Sequence, residues 1–257
     1  MPVLRVALDL PLHRLFDYLA TTASSADIGL RVRVPFGRSE RIGVIVEVCE
    51  SSEWPLEQLK PAGEILRDLP ALPADFFALC AFASNYYQAP FGEVVLQGLP
   101  VGLKRLDPPD RRKARASRPS EATARPALTL EQTIALAAID LQAGFSTHLL
   151  HGVTGSGKTE VYLRLVERAL AAGRQTLLLV PEINLTPQLE ARVAARFPDA
   201  GLTSLHSELS EAARTRNWRA ALDGTARIVL GTRLAVFTPL PDLGLIIVDE
   251  EHDASFK

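Results

Sequence analysis

Apolar and polar residues alternate over short runs near the start of the chain: VLRVALDL at 3–10, RVRVPFG at 31–37 and RIGVIVEVCE at 41–50. A period of two puts one set of side chains on a buried face and the other in solvent, so these runs predict strands, punctuated by Pro35, Gly37 and Gly43. Residues 73–88 change the period. Phe76, Leu79, Cys80, Ala83 and Tyr87 recur at spacings of three and four, and Pro73 suits a first helical turn. Residues 1–103 therefore predict a small β-rich domain with one amphipathic helix on its sheet.

After residue 128 the rhythm becomes an alternation of helix and strand. A helix is predicted from Thr129 to Gly144, strands at 147–153, 176–181, 202–206, 226–232 and 243–250, and helices at 158–172, 187–197 and 211–222. Thr186-Pro187 and Ser210 supply helix starts, and Gly173 and Gly224 supply stops. Near-continuous apolar strands separated by helices predict a parallel sheet covered on both faces, so the fold class is α/β over 128–257.

Charge separates the two blocks. Residues 1–103 carry a net charge of −4 and residues 126–257 a net −3, whereas 104–125 hold 8 basic and 3 acidic side chains. That segment is rich in Arg, Pro, Ser and Ala without apolar periodicity, so 104–127 reads as an interdomain linker. Its arginines suit phosphate contacts, and equally a soluble tether. No run of 18 apolar residues occurs, and Arg5, Asp9 and His13 interrupt the N-terminus, which is unlike a secretory segment. A cytoplasmic protein without a membrane segment is expected. Cys49 and Cys80 have no CxxC companion and read as two buried, reduced thiols.

The segment Gly152-Val153-Thr154-Gly155-Ser156-Gly157-Lys158-Thr159 satisfies G-x-x-x-x-G-K-[ST] between a predicted strand and a predicted helix. Its glycines allow backbone amides to converge on a β-phosphate at the positive end of the next helix. Lys158 then serves the β- and γ-phosphates, and the Thr159 hydroxyl ligates Mg²⁺. Four apolar residues, Leu245 to Val248, precede Asp249-Glu250-Glu251-His252. A buried strand ending in acids presents them at the sheet edge where ligands of such folds bind. Asp249 suits the metal, and Glu250 the attacking water. ATP with Mg²⁺ is the expected cofactor.

Gln132 has two readings. It completes a capping box with Thr129, and it is also placed upstream of the P-loop as an adenine reader would be. His206 at a strand end reads as a structural hydrogen-bonding residue. Phe76, Phe77, Tyr86, Tyr87 and Phe91 form an aromatic stripe that suits a helix core, with base stacking as the alternative.

Several segments together resemble the PriA family of bacterial replication-restart DNA helicases. GVTGSGKTEVY (152–162), LVPEINLTPQ (179–188), IVLGTR (228–233) and IIVDEEHDASFK (246–257) are similar to superfamily 2 motifs I, Ia, Ib and II. FDYL (16–19) with RVRVPFGRSERIGVIV (31–46) resembles the family's 3′-end-binding domain. The resemblance implies a RecA-like first helicase lobe over 128–257, ATP-driven 3′ to 5′ unwinding, and DNA forks and other primosome proteins as partners. It also implies that Phe16, Asp17, Gly37 and Lys60 form a 3′-terminal nucleotide pocket, and that Gly231, Thr232 and Arg233 contact single-stranded DNA. The 24 residues of 104–127 are too few for the winged-helix domain usual at that place. The chain stops at Lys257, ahead of motifs III to VI, the second lobe and the family's zinc-binding cysteines. The expectation is the N-terminal part of such a helicase, inactive as a motor alone. The alternative is a non-catalytic module that holds DNA 3′ ends and recruits partners.

Overall fold

The computed structural model describes residues 1–106, 125–141, 144–153, 155–181 and 187–256. The predicted linker and Thr154 fall mostly or wholly outside these. The chain divides into two compact units, and residues Leu209–Asp223 of the second half belong to the first unit.

The first unit is built on an antiparallel sheet in the order β2-β1-β4-β3-β5, with β1 Val3–Ala7, β2 Phe16–Leu19, β3 Arg31–Phe36, β4 Ser39–Cys49 and β5 Ile65–Leu66. The Leu19 amide donates to the Lys60 carbonyl (3.0 Å) and the Ala62 amide to the Leu19 carbonyl (2.7 Å). The stretch leading into β5 thus lies beside β2 at the opposite edge, and the sheet curls round its own core. Closure leaves few free strand edges. Leu4, Val6, Tyr18, Val32, Val34 and Ile45 fill the interior, and the Tyr18 hydroxyl donates to the Pro35 carbonyl (3.2 Å). The register of β1 against β4 slips between Arg5 and Val6, which adds the bend a closed sheet needs.

Two helices follow: α1 Ala74–Tyr87 packs on α2 Phe91–Gln97, and α2 lies against β1. Phe76, Cys80 and Ala83 are the buried residues of α1, while Tyr86 and Tyr87 are about 70% exposed (69% and 72%). The aromatic stripe therefore splits. Phe76 is core, whereas Tyr86 and Tyr87 sit beyond the helix's buried arc. Burial pushes the Cys80 thiol up to about 12, and Cys49 is only half-buried, contrary to the expectation of two buried thiols. It is the last residue of β4, paired with Val3 of β1.

Arg31 is nearly buried on β3, where Nη1 donates to the Leu103 carbonyl (3.0 Å) and Nη2 pairs with Asp68. Helix α6, Glu211–Leu222, joins the same network: Arg219 Nη2 lies 3.0 Å from Asp68, and Trp218 Nε1 donates to the Gly98 carbonyl (3.0 Å). The division at residue 128 does not anticipate this packing.

Asp27 is buried beside β3, accepts from the Ser24 amide (3.0 Å) and pairs with Arg67. The Arg67 hydrogen bond holds its carboxyl below the usual range. A depressed carboxylate stabilises the fold above its unfolded pKa of about 4 and loses that contribution as pH falls through the folded value. Asp27→Asn should cost about 1–3 kcal/mol at neutral pH, the usual cost of losing a charge-assisted hydrogen bond. Urea melts of the two proteins should converge as pH falls below the unfolded carboxylate range and through the lower folded value. A gap that persists in acid overturns the assignment.

The second unit holds a parallel sheet in the order β7-β8-β6-β9, with β6 Gln175–Leu179, β7 Leu202–Leu205, β8 Ile228–Gly231 and β9 Leu243–Val248. Helices α3 Leu130–Ala138, α4 Lys158–Ala171 and α5 Pro187–Arg196 accompany it. Leu163 and Val166 of α4, Leu178 of β6, Val193 of α5 and Ile228 and Leu230 of β8 share one core. Gln175 is fully buried yet satisfied, donating to the Ala226 carbonyl (2.8 Å) and accepting from the Asp242 amide (3.0 Å).

The strand expected at 147–153 does not form. Leu149 is 80% and Val153 76% exposed, and no ladder joins this segment to another strand among the described residues. A strand exists only where a neighbour satisfies its backbone, and apolar composition supplies no neighbour. Ile246 on β9 is likewise half-exposed at 50%. Helix α3 also ends six residues short of Gly144, because Ile139 adopts extended backbone.

Candidate functional site

The P-loop leads into α4 through Gly155 (φ 83°) and Gly157 (φ 84°), both in the left-handed region. A Cβ on Gly157 would lie 2.3 Å from the Gln132 side-chain nitrogen and displace it, while the positive φ is what favours glycine here. α4 begins at Lys158, which directs the free amides of its first turn into the loop.

Lys158 Nζ donates to the Gly152 carbonyl (2.8 Å) and lies 3.5 Å from a Glu250 carboxylate oxygen. Two motifs ninety residues apart in sequence thus meet at one ammonium group. Glu250 adopts φ 49°, rare for a residue with a side chain, and the turn it makes redirects the chain as it leaves β9. The Asp249 amide donates to the Leu179 carbonyl (2.9 Å), which fixes the acidic box to the end of β6. Gly155, Lys158, Thr159, Arg192, Asp249 and Glu250 line a cleft of about 510 Å³. Volume and lining suit a nucleoside triphosphate.

Gln132 shows the capping geometry. Its Oε1 accepts from the Thr129 amide (3.0 Å) while Thr129 Oγ1 accepts from the Gln132 amide (3.2 Å). Its Nε2 is also 3.3 Å from the Gly157 carbonyl, so the cap is tied to the P-loop.

Three features were not apparent from the sequence. Tyr162 Oη donates to Asp249 Oδ1 (3.1 Å), and burial with the neighbouring Asp249 carboxylate raises the phenol pKa. Arg192 and Arg196 of α5 line the cleft, and Glu160 accepts from Arg196 (3.0 Å) and Arg164 (2.8 Å). The position of Tyr162 four residues beyond Lys158 was a usable signal, because side chains four apart share a helix face.

Magnesium held through phosphates needs few protein donors, typically one hydroxyl and one carboxylate with the rest water and phosphate oxygen. Thr159 at the start of α4 and Asp249 on the same cleft supply that set. Among the described residues no cluster of three or more His, Cys, Asp or Glu could hold a metal unaided.

In the first unit, Phe16 and Asp17 leave β2 on opposite faces, as neighbours in a strand must. Phe16 packs edge-on against Phe36 (5.4 Å between centroids), and Gly37 (φ 61°) makes the adjoining turn with open space where a Cβ would stand. Arg14 and Arg41 lie over these two rings, at 5.0 and 5.5 Å. Asp17, with Ser52 Oγ donating to Oδ2 (2.5 Å) and Arg5 Nε 3.7 Å away, is on the other face. Lys60 is exposed, beside β2 through its carbonyl. Arg233 is exposed at the start of the short helix Arg233–Phe237, just past Gly231 and buried Thr232.

The model of the DEAD/DEAH box helicases matches residues 129–257, half of the chain, including the P-loop and the acidic box. The chain belongs to that family. Residues 5–100 match the model of a 3′ DNA-binding domain. The chain is similar to the replication restart protein PriA of Haemophilus influenzae, at 33% identity over 330 aligned positions covering all of this chain and 45% of that protein. The Treponema pallidum protein of the same name is 37% identical over 264 positions, again covering the whole chain, and 39% of the relative. That of Synechocystis is 53% identical over 132 positions, 51% of this chain and 16% of the relative. The chain spans less than half the length of these relatives. The 330 positions aligned with the Haemophilus protein exceed the 257 residues here, so that relative carries residues inside the aligned region that this chain lacks. No helix among the described residues is long and apolar enough to cross a membrane.

Proposed function

We propose that this chain is the ATP-binding and 3′-end-binding part of a superfamily 2 DNA helicase of replication restart, acting in the cytoplasm with DNA forks and primosome proteins. The observation that carries the proposal is the meeting of Lys158 with Glu250 at one cleft, in a chain whose first hundred residues match a 3′ DNA-binding domain. The amides from Gly152 to Thr159 cradle the phosphates, and Lys158 exchanges the Gly152 carbonyl and Glu250 for phosphate oxygens. Thr159 and Asp249 hold Mg²⁺, which supplies charge neutralisation at the phosphates when bound. Glu250, released from Lys158, orients water. Gln132 keeps the loop in register through its cap.

The DNA-terminus reading uses Phe16, Gly37 and the flanking arginines on one face of β2; Asp17 lies on the opposite face with Ser52 and Arg5, and Lys60 stands beside the strand, so a terminus that uses them all spans the β2 edge. A segment of net charge −4 is a poor grip for a long phosphate backbone, so affinity must come from a local pocket. Fluorescence anisotropy on oligonucleotides ending in 3′-hydroxyl or 3′-phosphate should show roughly tenfold weaker binding for the phosphate, about 1.4 kcal/mol. Asp17→Asn should shrink that difference. Equal affinity for the two ends would remove the terminus pocket and leave the ATP site untouched.

A further inference from the structure

We infer that Tyr162 is a positioning residue for the metal-holding carboxylate: its hydroxyl fixes the rotamer of Asp249 so that the second carboxylate oxygen stays available to Mg²⁺. The inference deepens the nucleotide-site reading and rests on it.

Tyr162 lies one turn into α4, four residues after Lys158, so the helix that carries the phosphate lysine also carries the donor to Asp249. Its ring packs against the core formed by Leu163, Val166, Leu178 and Ile228. The hydroxyl emerges from that apolar wall and meets Asp249 Oδ1 at 3.1 Å. The same wall lines a small cavity of about 20 Å³, bordered by Thr159, Tyr162 and Asp249, which has room for about one water molecule. Asp249 is thus held at two points. Its amide is tied to Leu179 on β6, and its side chain is tied to Tyr162 on α4.

A carboxylate at the end of a strand has a freely turning χ2, and each unwanted orientation lowers its affinity for a cation. Hydrogen bonds from outside the ligand set remove that freedom, and losing such a partner typically weakens metal affinity by about 10–100-fold. The phenol is a suitable donor because it is a neutral O–H group and adds no second anion to compete with the cation. A direct metal ligand would be a poor reading of Tyr162. Its oxygen faces Oδ1, and a neutral phenol binds Mg²⁺ weakly.

The test measures binding of a fluorescent ATP analogue, N-methylanthraniloyl-ATP, to the whole chain over a titration of Mg²⁺ and in excess EDTA. Tyr162→Phe keeps the ring and removes only the hydroxyl. The expected result is unchanged affinity in EDTA with a Mg²⁺ half-saturation raised about tenfold or more. In an Asp249→Asn background the same change should have no further effect on the Mg²⁺ titration, since the partner it acts through is gone. An unaltered Mg²⁺ requirement, or an equal loss with and without Mg²⁺, overturns the role and leaves Tyr162 as packing. Should the wild-type chain bind no nucleotide, or Lys158→Ala bind it equally well, the nucleotide site and the Tyr162 role fall together. Thermal melts establish that Tyr162→Phe is folded, and Tyr162→Leu, which also lacks the hydroxyl, should reproduce the Mg²⁺ effect if it folds.

Discussion

Lys158→Ala should weaken Mg²⁺-ATP binding at least about 100-fold, a loss of about 2.7 kcal/mol. In the free protein the ammonium already sits between the Gly152 carbonyl and Glu250, so its geometry is set before nucleotide arrives. Charge-assisted hydrogen bonds contribute about 1.5–3 kcal/mol each, and the alanine variant loses those to the phosphates. It also leaves Glu250 as an uncompensated negative charge beside the phosphates, which adds repulsion to lost attraction. Glu250→Gln should relieve part of the defect in the double variant. Calorimetric titration with Mg²⁺-ATP measures both, and a Lys158→Ala affinity within threefold of wild type would overturn the P-loop assignment. Glu250→Gln alone should retain binding, because the role proposed for Glu250 is to orient water and not to hold the phosphates.

Gly231→Val should destabilise the second unit by more than about 3 kcal/mol, among the larger effects of a single substitution. Gly231 ends β8, and a Cβ there would lie 2.2 Å from the Ala235 Cβ and 3.0 Å from the Leu205 carbonyl. Neither neighbour can yield cheaply, since Leu205 belongs to the paired strand β7 and Ala235 is buried in the short helix that returns over the strand end. Overpacking of this kind usually costs about 1–3 kcal/mol, and a branched residue against backbone exceeds that. The return path carries Arg233, so a variant rescued by stabilising solutes should still bind single-stranded DNA less tightly than wild type. Urea denaturation and anisotropy with a single-stranded oligonucleotide measure the two parts. A fully stable Gly231→Val protein would show that the Gly231–Ala235 approach is not a requirement of the fold.

Much of this protein was legible along the chain. The period-two runs predicted β1, β3 and β4, and the apolar runs after residue 170 predicted all four strands of the parallel sheet. The P-loop and acidic box were legible because phosphate binding demands glycines with a positive φ and a lysine at a helix start, and those demands are local. Short or sparsely apolar elements were missed. Residues 16–19 form β2 only because β1 and the stretch near Pro61 pair with them, and α2 depends on Gly92 lying against the Leu8 backbone.

Tertiary structure decided the rest, each time through contacts that no window of sequence contains. Residues 147–153 have strand composition but lack a ladder partner among the described residues, so their backbone remains irregular. Helix α6 follows its predicted bounds, yet Trp218 and Arg219 commit it to the first unit through Gly98 and Asp68. The cap of Gln132 on Thr129 was legible because its partner is three residues away, whereas the P-loop carbonyls are brought to the same side chain by folding. The pairing of Tyr162 with Asp249 belongs to the same class. The sequence by itself determined which residues are candidates for phosphate and metal chemistry, since that depends on residue type at short spacing; which side chains pack around them depends on strands and helices meeting at long range, and only the folded chain decides it.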